Sequence, residues 1–148
     1  MEDLEILLIE RACTRLVTDY SRFVDFGEAE RIADLFTAGG RWEGPDVVMD
    51  GRDAIRAGFA RRAGVTRRTS RHVVTNLAID VVDAERATAL CYLINYRHDN
   101  DGPALLPAPA GVPKYVGEYH DRFERTAEGW RFAERRFSLA FLRPSGTG

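Results

Sequence analysis

Apolar residues return at every fourth position through the first two dozen residues of the chain. Leu4, Leu8, Ala12, Leu16, Tyr20 and Val24 form a stripe that Ile9, Cys13 and Val17 widen. This spacing predicts an amphipathic helix over Leu4 to Val24, with Gly27 as its terminator. A second helix is expected to begin at Glu28-Ala29-Glu30, to bury Ile32, Ala33, Leu35 and Phe36, and to end at Thr37-Ala38-Gly39-Gly40. Arg41-Trp42-Glu43 and Val47-Val48-Met49 flank Gly44-Pro45-Asp46 as in a short hairpin. Asp53 to Arg62, with Ile55 and Phe59 four apart, reads as a third, short helix.

The period then falls to two. Val73, Thr75, Leu77, Ile79 and Val81 alternate with His72, Val74, Asn76, Ala78 and Asp80, which predicts a long strand. After a turn at Asp83-Ala84-Glu85-Arg86, one face of a second strand carries Thr88, Leu90, Tyr92, Ile94, Tyr96 and His98. Asp99 to Pro113 is a Pro-, Gly- and Ala-rich loop of a length that usually serves function. Tyr115 to Thr126 and Trp130 to Leu142 form a closing hairpin around Glu128-Gly129. Apolar parity flips between Phe132 and Phe137, so a bulge is expected near Glu134-Arg135. Helices first and long strands after them imply a single α+β domain over residues 1–143. Its curved antiparallel sheet would wrap a long N-terminal helix and leave a pocket between the two. Residues Pro144 to Gly148 are expected to form a disordered tail.

Composition narrows the function classes. The 148 residues are 45% hydrophobic and 30% charged, a globular balance, and the net charge of −2 gives no electrostatic case for nucleic acid. No stretch is apolar enough for a membrane span, and the acidic start Met1-Glu2-Asp3 is unlike a secretory signal, so a cytoplasmic location is expected. Cys13 and Cys91 sit among apolar neighbours and read as buried thiols. Lys114 is the only lysine, which argues against Schiff-base chemistry. His98 and His120 share no metal-ligand spacing with His72, and no phosphate-binding glycine motif is present, so neither metal nor cofactor is expected. The cluster Arg61, Arg62, Arg67, Arg68 and Arg71 reads first as a solvated loop and second as an attractor of acidic substrates.

Three local patterns, in this order and spacing, carry a resemblance over nearly the whole chain. They are Tyr20-Ser21-Arg22-Phe23-Val24-Asp25 followed by Leu35-Phe36-Thr37; Gly51-Arg52-Asp53-Ala54-Ile55; and Tyr119-His120-Asp121-Arg122-Phe123-Glu124-Arg125 followed by Gly129-Trp130-Arg131-Phe132. The chain resembles the nuclear transport factor 2-like superfamily and its SnoaL-like, polyketide cyclase/dehydratase-like branch. The resemblance implies a cone-shaped curved sheet around the first helix, with three helices in all. Within that branch, scytalone dehydratase, the bile-acid dehydratase and hexachlorocyclohexane dehydrochlorinase have an aspartate ending the first helix and a histidine opening the first long strand. Asp25 and His72 match those positions, and Tyr20 matches a tyrosine of the bile-acid dehydratase. The dehydrochlorinase has a lysine where Tyr20 stands, and Arg125 falls near one of its functional arginines.

His72 is the leading candidate, because imidazole titrates near neutrality and takes a proton without prior ionisation. Its plain alternative is a solvated or structurally bonded strand-end histidine. Asp25 would hold the imidazole's tautomer. On an ideal wheel, however, it lies about 150° from the centre of the apolar arc and would face solvent, or it would cap the second helix. Tyr20 lies within the arc, so its hydroxyl needs a buried partner. Tyr92, Tyr96, Tyr119 and Arg125 complete the expected pocket as substrate-binding residues. These expectations add up to a cofactor-independent dehydratase acting through Asp25, His72 and Tyr20 on a small cyclic, polyketide- or steroid-like substrate. An isomerase or cyclase, or a ligand-binding module without turnover, are the alternatives. A homodimer or homotrimer is expected, with Val73, Leu77 and Ile79 as an apolar face to cover.

Overall fold

A computed structural model describes residues 1–145; of the expected tail, residues 146–148 lie outside the described residues. The chain runs α1 (Asp3–Asp25), a 3₁₀ helix (Ala29–Leu35), β1 (Phe36–Glu43), β2 (Val48–Asp50), α2 (Arg52–Ala63), β3 (Arg68–Val81), β4 (Arg86–Asp99), β5 (Tyr115–Thr126) and β6 (Gly129–Leu142). The six strands form one sheet in the order β2-β1-β6-β5-β4-β3. Neighbours are antiparallel except for β1, which runs parallel to β6, so the α+β cone carries a mixed sheet. Among the described residues, no helix is long and apolar enough to cross a membrane.

The core lies between α1 and the inner face of the sheet. Ile9, Cys13, Leu16, Val17, Tyr20 and Val24 are buried against Ala87, Ala89, Cys91 and Leu93 of β4, Tyr119 and Phe123 of β5, and Phe132 and Phe137 of β6. Small inward side chains of β4 and aromatics of β5 and β6 fill this core together. Each fully buried phenylalanine contributes about 1.5–3 kcal/mol. Both cysteines are free and buried. The buried stripe starts at Ile9 rather than Leu4. Leu4, Leu7 and Leu8 stand exposed.

Where expectation and structure part, tertiary pairing explains the difference. The second helix is a 3₁₀ helix that stops at Leu35. Phe36 already pairs with Phe132 of β6, and Thr37 to Gly40 continue as strand. Gly39 and Gly40 therefore serve a strand irregularity rather than a helix end. The register of β1 on β6 shifts between Phe36 and Arg41, and a Cβ at Gly40 would crowd Phe36 at 3.0 Å. The β6 bulge falls at Ala133, just before the expected Glu134-Arg135, since Phe123 pairs with Phe132 and Arg122 with Glu134.

Another bulge was not foreseen. Asn76 adopts φ 54 where β3 slips between Thr75 and Ala78, which reverses the strand's parity. Leu77 and Ile79 thereby turn inward against the core, while Val73 stays on the outer face. Of the three residues expected on a face to be covered by association, only Val73 is there.

Candidate active site

The site begins where α1 ends. Gly27, at φ 80, takes the left-handed conformation that lets Glu28 N donate to Phe23 O at 2.9 Å, the closing bond of a Schellman motif. The chain turns away there, and Asp25 is left as the last helical residue. Its carboxylate accepts from Ser70 Oγ at 3.0 Å and from the backbone N–H of His72 at 2.8 Å, and it meets His72 Nδ1 at 2.7 Å. It caps nothing: Glu28 precedes the 3₁₀ helix, without a side-chain cap bond.

The helical wheel placed Asp25 toward solvent because it allowed α1 one buried face. Along a second side of α1, Thr14, Thr18, Ser21 and Asp25 face His72, Val74 and Leu77 of β3 across a groove. Thr14 and Thr18 stay exposed, while β3 meets Asp25 at the helix end. Side-chain exposure is 5% for Asp25 and 9% for His72, so the pair is shielded on both partners.

On the far side of His72 lies a cavity of about 350 Å³, between α1, α2, β1 and the inner face of β3 to β6. Tyr20, Trp42, Phe59, Leu93, Tyr119 and Phe137 give it apolar and aromatic walls. Tyr20 packs edge-on against Phe59 and Tyr119, with centroids 5.8 and 5.6 Å apart. Its hydroxyl oxygen accepts from Trp42 Nε1 at 3.0 Å, and the Tyr119 hydroxyl interacts with it as well. Burial pushes the Tyr20 phenol up to about 12, so it stays protonated near neutrality. Asn95, opposite His72 across β3–β4, sets its amide nitrogen 3.4 Å from Nδ1 and 3.5 Å from Nε2, aligned with neither lone pair.

Of the predicted site residues, the structure brings Asp25, His72, Tyr20 and Tyr119 to the cavity wall or directly behind it. It does not bring Tyr92, Tyr96 or Arg125 there. Tyr92 and Tyr96 lie on the outer face of β4 at 47% and 46% exposure, because strand alternation turns Cys91, Leu93, Asn95 and Arg97 inward instead. Tyr96 borders a separate outer hollow under the 100–114 loop. Arg125 is exposed opposite Trp130 at the end of β5.

Several site residues escaped the sequence reading, and strand parity could have found them. The first long strand starts at Arg68, so Arg68, Ser70 and His72 share its inner face. Asn95 and Arg97 are likewise the inward partners of Tyr96. The arginine cluster divides accordingly. Arg62 and Arg68 are partly buried on the cavity, whereas Arg67 and Arg71 face solvent. Below the cavity Arg135 is fully buried, bonded to Asp121 Oδ1 at 3.0 Å, with its guanidinium 3.5 Å from the Tyr119 ring centre and 4.3 Å from that of Tyr20. Among the described residues, no three His, Cys, Asp or Glu side chains gather as a metal site.

Known proteins give this geometry a context. A scytalone dehydratase-like protein from Novosphingobium aromaticivorans DSM 12444 superposes with a TM-score of 0.80 at 22% identity, over 99% of each chain. The hexachlorocyclohexane dehydrochlorinase LinA-type3 from Novosphingobium barchaimii LL02 superposes with a TM-score of 0.78 at 17% identity, over 99% of this chain and 97% of that one. A Mycobacterium tuberculosis protein of unknown function is 26% identical, with a TM-score of 0.76, over 96% of this chain and 78% of that one. No curated protein matches significantly. The SnoaL-like domain model matches residues 5–136, and the chain belongs to that family.

Proposed function

We propose that the protein is a cofactor-independent dehydratase acting on a small cyclic, polyketide- or steroid-like carbonyl compound. One observation carries the reading: His72 Nδ1 stands 2.7 Å from a buried aspartate while the same imidazole lines a largely aromatic cavity. With Nδ1–H donated to Asp25, Nε2 keeps its lone pair and acts as the base. Asp25 fixes the tautomer and stabilises the imidazolium as it forms.

Nε2 removes a proton from the carbon beside the substrate carbonyl, and the electron pair forms the new carbon–carbon double bond. The hydroxyl on the neighbouring carbon leaves, taking a proton from Tyr20, and departs as water. Trp42 Nε1–H already donates to the Tyr20 oxygen, and the phenol keeps a hydrogen that a ligand can accept. The imidazolium proton returns to the tyrosinate through the released water, which restores both groups.

The test is a screen of cyclic β-hydroxy ketones by mass spectrometry, with wild type and His72→Gln side by side. Loss of one water, falling about 10²–10⁴-fold in the variant, is the expected result. A product of unchanged mass would make the enzyme an isomerase or cyclase, and equal turnover by the variant would remove the dyad from the chemistry.

A further inference from the structure

Four arginines, Arg61, Arg62, Arg68 and Arg97, line one end of the cavity. Only one carboxylate answers them within ion-pair reach among the described residues: Asp99, 2.7 Å from Arg68 Nε and 3.7 Å from Arg97 Nη2. Among the described residues, the side-chain partner of Arg62 is neutral, the Ser70 hydroxyl at 3.0 Å. The Tyr115 hydroxyl shares this wall. Burial, and then the repulsion of Arg68 and its neighbours, lowers the affinity of Arg62 and Arg97 for their protons. Gathering like charges in a partly desolvated wall works against folding, and a bound anion would offset that cost.

We infer that this end of the cavity is a carboxylate-recognition subsite, and that the substrate is a small organic acid whose carboxylate is clamped by Arg62 and Arg97 beside Tyr115. The inference rests on the proposed dehydratase reading and adds the charge of its substrate. A guanidinium fork pairs with a planar carboxylate through two parallel N–H···O bonds, and Tyr115 supplies a neutral third donor. The geometry also ties the subsite to the base. Arg62 Nη2 donates to Ser70 Oγ, Ser70 Oγ donates at 3.0 Å to Asp25 Oδ1, and Asp25 holds His72 at 2.7 Å. A carboxylate anchored at Arg62 therefore sets the rest of a one- or two-ring molecule against His72 and Tyr20. About 350 Å³ is at the small end of ligand cavities and suits that size. Anchoring the unreactive end would align the carbon to be deprotonated, which is how remote binding energy assists the chemical step.

The subsite is tested by binding, separately from turnover. Benzoate, neutral benzamide and inorganic phosphate are titrated into the full chain, with amide chemical shifts as the readout, for wild type, Arg62→Met, Arg97→Met, Arg62→Lys and His72→Gln. Benzoate should bind at least about tenfold more tightly than benzamide, and each methionine variant should lose most of that preference. Arg62→Lys should keep part of it, and His72→Gln should keep all of it. Thermal unfolding checks that the variants fold, and the methionine variants should melt no lower than wild type because they relieve repulsion. Equal binding of benzoate and benzamide, or a preference that survives both methionine variants, would overturn the subsite. Phosphate binding as tightly as benzoate would overturn the assignment to carboxylates. An arginine-dependent benzoate site in a protein whose turnover ignores His72→Gln would keep the subsite and discard the dehydratase mechanism.

Discussion

Asp25–His72 and Asp121–Arg135 both pair a carboxylate with a nitrogen base away from water, with side-chain exposures of 5% and 9% in the first and 0% on both partners in the second. Their hydrogen bonding differs. Asp25 meets donors on both oxygens, from a hydroxyl, a backbone amide and the imidazole. Asp121 is met only at Oδ1, and its Oδ2, like Arg135 Nη1, is buried without a partner. Beyond a long bond from Nη2 to Cys91 Sγ at 3.9 Å, Arg135 has the ring faces of Tyr119, Tyr20 and Phe132 around its guanidinium. One pair is fully bonded and opens on a cavity, while the other is under-bonded and sealed by aromatics. The first is arranged to hold a reactive group still, and the second holds the sheet to the helix beneath it.

Breaking each pair should therefore show in different measurements. His72→Gln removes the base and should lower turnover by about 10²–10⁴-fold. Chemical denaturation should find its stability within about 1 kcal/mol of wild type, since glutamine still donates toward Asp25. Arg135→Leu does the reverse. It strands a buried carboxylate and should cost about 3–5 kcal/mol in urea unfolding, and an Asp121→Leu/Arg135→Leu double variant should recover most of that loss. If the double variant were as unstable as the single one, the guanidinium's stacking on the aromatic rings would matter more than its pairing.

The sealed pair should also write itself into the pH dependence of stability. Burial raises Asp121 to about 6 from an ordinary 3.8, although Arg135 opposes the shift. Between those values the folded protein holds a proton that the unfolded chain has released. The Asp121 contribution is therefore largest below about 3.8, falls as pH rises toward about 6, and is constant above it. Asp121→Asn removes the titration. The wild-type-minus-variant unfolding free energy should decline across that window, and a rise with pH would mean that Arg135 outweighs burial.

The two pairs were not equally legible in the sequence. Asp25 and His72 were found through family resemblance. Helical periodicity alone pointed Asp25 outward, because it could not know that Ser70 and His72 of β3 would meet the end of α1. Asp121 and Arg135 were missed although the pattern held them: Asp121 alternates with Tyr119 and Phe123 on the inward face of β5, and it pairs directly with Arg135 across β6. A charged residue at an apolar parity is easily discounted as a break in the pattern, and the β6 bulge hid its partner. Tyr92 and Tyr96 show the opposite error, where aromatic character suggested a pocket while strand alternation turned Leu93, Asn95 and Arg97 inward. The order of the elements was readable because it depends on local period, but the contents of the cavity depend on bulges and curvature.

Tyr20 stacks on the sealed pair and lines the same cavity as His72, so the smallest predicted effect is the one that separates the two pairs best. Its ring lies over the Arg135 guanidinium at 4.3 Å, while its hydroxyl accepts Trp42 Nε1–H beside the cavity. Tyr20→Phe keeps the ring and removes only the hydroxyl. The loss of stability should be about 1 kcal/mol, chiefly from the Trp42 Nε1–H that loses its acceptor. Turnover should fall further than this cost explains, because the proton for the leaving hydroxyl is lost as well. The stability side needs only a urea titration of the variant against wild type. A loss approaching that of Arg135→Leu would mean that the hydroxyl, rather than the ring face, supports the sealed pair, and the division between a pair for chemistry and a pair for the fold would no longer hold at the residue they share.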